Sequence, residues 1–172
     1  MWENRAMRNL TRATFGLIAV ACAALVAYAI FYMQEELGLE PCPMCVLSRF
    51  TFIAIGVVSL VAAIHGPRGG ALKGYAVVVS VLAAIGIGIS ARHSYLQHFP
   101  PKIETCGADI GFMIQNLPLS AAFPKIFQGT GSCTAVDWRF LGLSIPEWAL
   151  VWFAAFAIAV LWLAFVRARK AP

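Results

Sequence analysis

Apolar residues in this chain gather into four long runs instead of alternating with polar ones: Ala13–Gln34, Val46–Ile64, Ala71–Ala91 and Trp148–Val166. The first and last carry no charge, the second only Arg49 and the third only Lys73. Each comes close to, or exceeds, the ~20 residues that a helix needs to cross a hydrocarbon core. The pattern predicts four membrane helices, at about 13–34, 45–64, 71–91 and 146–166. It leaves two polar connections on one side, at about 35–44 and 92–145, and a tight turn at His65-Gly-Pro-Arg-Gly-Gly70 on the other. The expected fold class is all-α: an integral membrane four-helix bundle in one domain, residues 1–172.

Composition agrees with that division. The chain is 60% hydrophobic and 12% charged, whereas soluble domains carry about 25% charged residues. Arg5, Arg8 and Arg12 precede the first run, Arg68 and Lys73 lie between the second and third, and Arg167, Arg169 and Lys170 follow the fourth. In a four-span topology these share one side, which the positive-inside rule makes cytoplasmic, with both termini. The other side receives Arg92, Lys102, Lys125 and Arg139 along a long loop, together with most of the acids. The net charge of +5 is thus a topology signal. The basic residues form no stripe, so membrane lipid is an expected partner and nucleic acid is not.

The N-terminus also resembles a secretion signal, with Ala27-Tyr28-Ala29 as a small-x-small site. The uncharged run is longer than a usual signal core, which favours a retained first helix. The long outer loop opens with Pro100-Pro101, which should end the third helix. Ile110, Met113, Ile114 and Leu117 then fall at i, i+3, i+4 and i+7, predicting a short amphipathic helix on the membrane surface or packed on the protein. Trp138, Trp148 and Trp152 suit either the outer interface or internal packing.

Candidate chemistry rests on cysteines on that outer side. Cys42 and Cys45 form Cys-Pro-Met-Cys just before the second run; Cys106 and Cys133 lie in the long loop. A Cys-x-x-Cys pair serves zinc binding, dithiol redox chemistry or a structural bridge. Structural zinc needs four closed ligands, and Cys106 and Cys133 lack the paired short spacing of a zinc ribbon. Redox chemistry is favoured, and no resident metal is expected. Pro43 suits the first turn of a helix. Cys45 would then sit where free N–H groups and the helix dipole stabilise a thiolate, with Arg49 four residues on along the same face. An arginine within a membrane run marks a site or a headgroup anchor. A Cys106–Cys133 bridge on a loop of flexible composition would be of the exchangeable kind. Cys22, among alanines in the first run, reads as a packing residue. His93 and Gln97, at i and i+4 near the outer end of the third helix, would project at the depth of Cys45 and Arg49, able to hydrogen-bond a carbonyl of a membrane-borne oxidant. His65 and His98 read as surface residues.

Taken together, these elements resemble the disulfide bond formation protein B family, DsbB, of the bacterial inner membrane. The match runs through Pro41-Cys42-Pro-Met-Cys45 and Arg49, His93-x-x-x-Gln97, Cys106, Gly131-Ser-Cys133 and Trp138-Arg-Phe-Leu-Gly-Leu-Ser-Ile-Pro146-Glu-Trp148, and covers nearly the whole chain. Ser48 departs from the pattern, standing where an acidic residue is expected beside Arg49. The resemblance implies a protein-disulfide:quinone oxidoreductase with periplasmic redox loops. Its partner would be a DsbA-like thioredoxin-fold protein and its cofactor ubiquinone or menaquinone. It further implies that the partner attacks a Cys106–Cys133 disulfide at Cys106, that Cys133 then attacks Cys42, and that the released Cys45 passes electrons to the quinone. Arg49 would stabilise the charge, and His93 and Gln97 would orient the quinone. Two alternatives differ in class: a vitamin K epoxide reductase-like enzyme, whose Cys-x-x-Cys falls later in the chain, and a non-enzymatic scaffold stapled by disulfides.

Overall fold

The computed structural model describes residues 2–39, 41–100, 133, 134, 136 and 138–169. Cys106 and the amphipathic segment Ile110–Leu117 lie outside the described residues. Four long helices carry the fold. Helix α1 (Trp2–Ala27) continues without a break as a π-helical segment (Tyr28–Glu36); α2 spans Pro43–His65, α3 Gly69–His98 and α4 Ile145–Arg169. Arg8–Glu36, Pro43–His65, Gly69–His98 and Ile145–Arg167 are long and apolar enough to cross a membrane. The bundle's exterior explains why: Leu17, Val20, Ile64 and Ile158 are among its most exposed residues, each about two-thirds exposed or more, as lipid-facing side chains are.

Consecutive helices are packing neighbours, with α1 on α2, α2 on α3 and α3 on α4. The core they enclose includes Phe15, Ile18, Ile55, Val79, Ala83, Phe153 and Val160, and Cys22 is buried within it. Phe52 of α2 stacks on Phe153 of α4 at 4.2 Å between centroids. Gly86 makes the α3–α4 approach possible, because a Cβ there would fall 2.7 Å from the Phe153 ring. Small residues commonly permit such close contact between membrane helices.

Helix ends follow local chemistry. Pro43 occupies the start of α2 and Cys42 is its N-cap, accepting the Cys45 N–H through sulfur. Gly66, at φ 63°, closes α2 with its N–H on the Ala62 carbonyl. Helix α3 outlasts its apolar run, continuing through His93 and Gln97 to His98 before Phe99 and Pro100 stop it. The start of α4 is set by a two-stranded hairpin that the hydrophobic pattern does not predict. β1 (Arg139–Phe140) pairs antiparallel with β2 (Leu143–Ser144). Leu141 and Gly142 make the turn at φ 52° and 83°, the positive pair of a type I′ turn. Ser144 then donates from both N–H and Oγ to Glu147 Oε2, at 2.7 and 3.0 Å. This Ser-x-x-Glu arrangement is a capping box in which the glutamate reaches back over the helix start.

Candidate functional site

The start of α2 and the far end of α3 bring the sulfur chemistry together. Cys42 is buried and Cys45 half-buried. The Cys42 Sγ–H donates to Cys45 Sγ at 3.0 Å, and the Cys45 N–H returns to Cys42 Sγ at 3.3 Å. Three residues apart in a first helical turn, the two sulfurs face each other without backbone rearrangement. From α3, His93 presents Nε2 to Cys42 Sγ at 3.6 Å, and it is 3% exposed.

Cys133 completes the cluster. It is fully buried and packs with Cys42, Met44, Ile89 and Leu96. Hydrogen bonding with Cys133 and with Cys45, then burial, holds the Cys42 thiol above its ordinary range. Cys42 therefore keeps its proton, directed at Cys45. A backbone hydrogen bond with Cys133 also anchors His93. The four described cysteines, Cys22 included, are thiols.

Arg49 lies one turn beyond Cys45 on α2. Its Nη1 donates to Gln34 Oε1 at 2.9 Å and its Nη2 to the Ala29 carbonyl at 3.1 Å. Both acceptors belong to the π-helical extension of α1, where the wider ladder shifts hydrogen-bond partners. The pattern of charges marked Arg49 but not Gln34 or Ala29; an uncharged glutamine ending an apolar run was the only available signal.

These groups open onto one cavity of about 380 Å³. Cys45, Arg49, His93 and Gln97 line it beside the aromatic wall of Trp148 and Trp152. The hairpin contributes Phe140, whose carbonyl accepts the Trp148 indole N–H at 3.0 Å, and Trp138 stacks on Phe140. The three tryptophans thus form a cavity wall. Ser48 lines the cavity too, so no carboxylate accompanies Arg49 at that position. His65 lies at the opposite end of the bundle, near the Tyr75 hydroxyl. His98 is exposed, 3.8 Å from Glu147.

An apolar, aromatic-walled space with one fixed guanidinium, one amide and a thiol pair fits a flat, apolar molecule with carbonyl groups. Comparison with known proteins bears on the thiols. Residues 11–163 match the family model "Disulfide bond formation protein DsbB". Relatives named disulfide bond formation protein B include one from Aromatoleum aromaticum, 47% identical over 149 residues covering 86% of this chain and 89% of the relative. One from Acidovorax sp. is 45% identical over 171 residues, covering 99% and 95%. One from Azoarcus sp. is 43% identical over 156 residues, covering 91% and 93%.

Proposed function

Because the chain belongs to the DsbB family of disulfide bond formation proteins, we propose that it is a thiol–quinone oxidoreductase that reoxidises a DsbA-type dithiol partner. The family and the four apolar helices make the chain a multi-span membrane protein with a disulfide-forming oxidoreductase role. The observation that carries the quinone-linked reading is convergence: Cys42, Cys45, Cys133, His93 and Arg49 meet beside one apolar cavity.

The partner's thiolate attacks a Cys106–Cys133 disulfide at Cys106 and releases Cys133. Cys133 attacks Cys42 of a Cys42–Cys45 disulfide; one S–S bond breaks, one forms, and Cys45 leaves as thiolate. The packing of Cys133 against Cys42 supports this order. The partner's second thiol then resolves its mixed disulfide with Cys106, leaving the partner oxidised. The protein now carries the two electrons as a Cys45 thiolate, at a helix start that favours negative charge, and a Cys106 thiol. Cys106 attacks Cys133 to re-form their bridge and release Cys42, and the Cys42–Cys45 bridge re-forms as the electron pair passes to the acceptor. Arg49, held by Ala29 and Gln34, brings a fixed positive charge to the same cavity. His93, at Cys42 Sγ, is placed to exchange a proton with that thiol. A bound quinone supplies the acceptor of two electrons and two protons, and Arg49, Gln97 and the tryptophan wall are the residues that would hold it.

Such an acceptor is needed because a DsbA-type oxidant works near −120 mV and each ~30 mV is worth about 1.4 kcal/mol for two electrons. The bacterial periplasm is kept oxidising by a DsbA–DsbB–quinone chain, which supports an inner-membrane location with the thiols outward. The arginines and lysines at the opposite end support cytoplasmic termini. Purified protein mixed with quinone and reduced DsbA-type partner should consume both in a 1:1 ratio. Partner oxidation that proceeds equally without quinone would defeat the proposal.

A further inference from the structure

The thiol cluster also has the composition of a metal site. Cys42 Sγ, Cys45 Sγ and His93 Nε2 all lie within 4.8 Å of one another. A tetrahedral zinc ion, with Zn–S near 2.3 Å and Zn–N near 2.0–2.1 Å, holds a sulfur and a nitrogen about 3.6 Å apart and two sulfurs about 3.8 Å apart. The Cys42–His93 edge, at 3.6 Å, is already at that spacing. The Cys42–Cys45 edge, at 3.0 Å, must open by about 0.8 Å, within reach of a side-chain rotation at half-buried Cys45.

Charge and softness point the same way. Two thiolates neutralise a divalent ion, giving an uncharged complex suited to apolar surroundings. Thiolate ligands select zinc-like and softer cations over magnesium or calcium. Arg49, the guanidinium lining this cavity, is turned onto the Ala29 carbonyl and Gln34. Three protein ligands leave the fourth position to solvent, as in open zinc sites.

We infer that the reduced Cys42–Cys45 pair and His93 form a binding site for a thiophilic divalent cation, Zn²⁺ or Cd²⁺, that disappears when the pair is oxidised. Binding exchanges two thiol protons for two metal–sulfur bonds; no electron moves and the metal stays divalent. A Cys42–Cys45 disulfide has no thiolate to offer. The redox dependence rests on the cycling of this pair proposed above. Its consequence is inhibition of a defined state: metal-held thiolates are withheld from reoxidation, so the cation accumulates on the reduced protein.

The test is anaerobic titration of the reduced, full-length protein in detergent with Cd²⁺, followed by the ultraviolet sulfur-to-cadmium charge-transfer band. One equivalent should saturate the band, and Zn²⁺ should displace it. Oxidised protein, Cys42→Ser and Cys45→Ser should show none, while Cys22→Ala and the Cys106→Ser/Cys133→Ser double variant keep it. His93→Gln should bind about tenfold or more weakly, since even outer partners of metal ligands are worth 10–100-fold; its thermal unfolding temperature checks that it is folded. No band in reduced wild type, a band that survives Cys45→Ser, loss of the band in the double variant, or unchanged affinity in folded His93→Gln would each overturn the site. Metal-free quinone-dependent turnover, measured on the same preparation, separates this failure from that of the proposed function.

Discussion

The two ends of the bundle carry cavities of similar size, about 380 and about 400 Å³, with opposite chemistry. At one end, thiols, an amide and aromatic rings surround a single guanidinium that is fixed by two hydrogen bonds. At the other, Arg8, Arg12 and Arg68 gather with His65 around the Gly66 turn. There Arg12 donates to the Ile64 carbonyl at 3.0 Å and lies so close to Gly66 that a Cβ would come 2.7 Å from its Nε. The contrast separates two uses of positive charge in a membrane protein. By the positive-inside rule many arginines at one end would bias orientation, a use for which exact placement matters little. In the proposed function Arg49, at the other end, works by where it is held.

Substitutions can break or sharpen that contrast. The largest expected effect is Cys45→Ser, which should reduce quinone-dependent partner oxidation to background, read as quinone absorbance with time. Next is Arg49→Met. A hydrogen bond to a charged group is worth about 1.5–3 kcal/mol, so the apparent KM for quinone should rise roughly 10- to 100-fold, with partner affinity unchanged. Gln34→Leu removes one of the two acceptors that hold Arg49. At about 1 kcal/mol it should raise the same KM about fivefold, and an unaltered KM would show that Ala29 alone suffices. Glu147→Ala undoes the cap on α4 and should cost about 1 kcal/mol of stability, seen as a lowered unfolding temperature in detergent. Smallest is Arg12→Gln at the opposite end, expected to change turnover by less than about twofold. A loss comparable to that of Arg49→Met would erase the distinction between the two ends.

Most of the helical frame was legible because lipid imposes long uninterrupted apolar runs, and the four runs map onto the four helices. Pro43 announced where α2 begins, and the i, i+4 spacing of His93 and Gln97 placed both on the cavity. What escaped depends on the chain folding back. Nothing periodic tells that Cys133 returns to Cys42; only the family resemblance implied that approach. The π-helical widening at Tyr28–Glu36 has no compositional mark, so the acceptors for Arg49 had no signal beyond Gln34 at the end of an apolar run. The hairpin hid behind Leu141, a residue type seldom found at positive φ. Ser144-x-x-Glu147 was a readable capping signal beside it.

Cys42 is a helix cap and, in the proposed mechanism, also a sulfur in the relay. A bridge between Cys42 and Cys133 would draw that sulfur off the Cys45 N–H and let the first turn of α2 fray. The Cys45 amide would then exchange its hydrogen for deuterium faster whenever the relay is half-way through, giving the backbone a clock for an event that takes place between sulfur atoms.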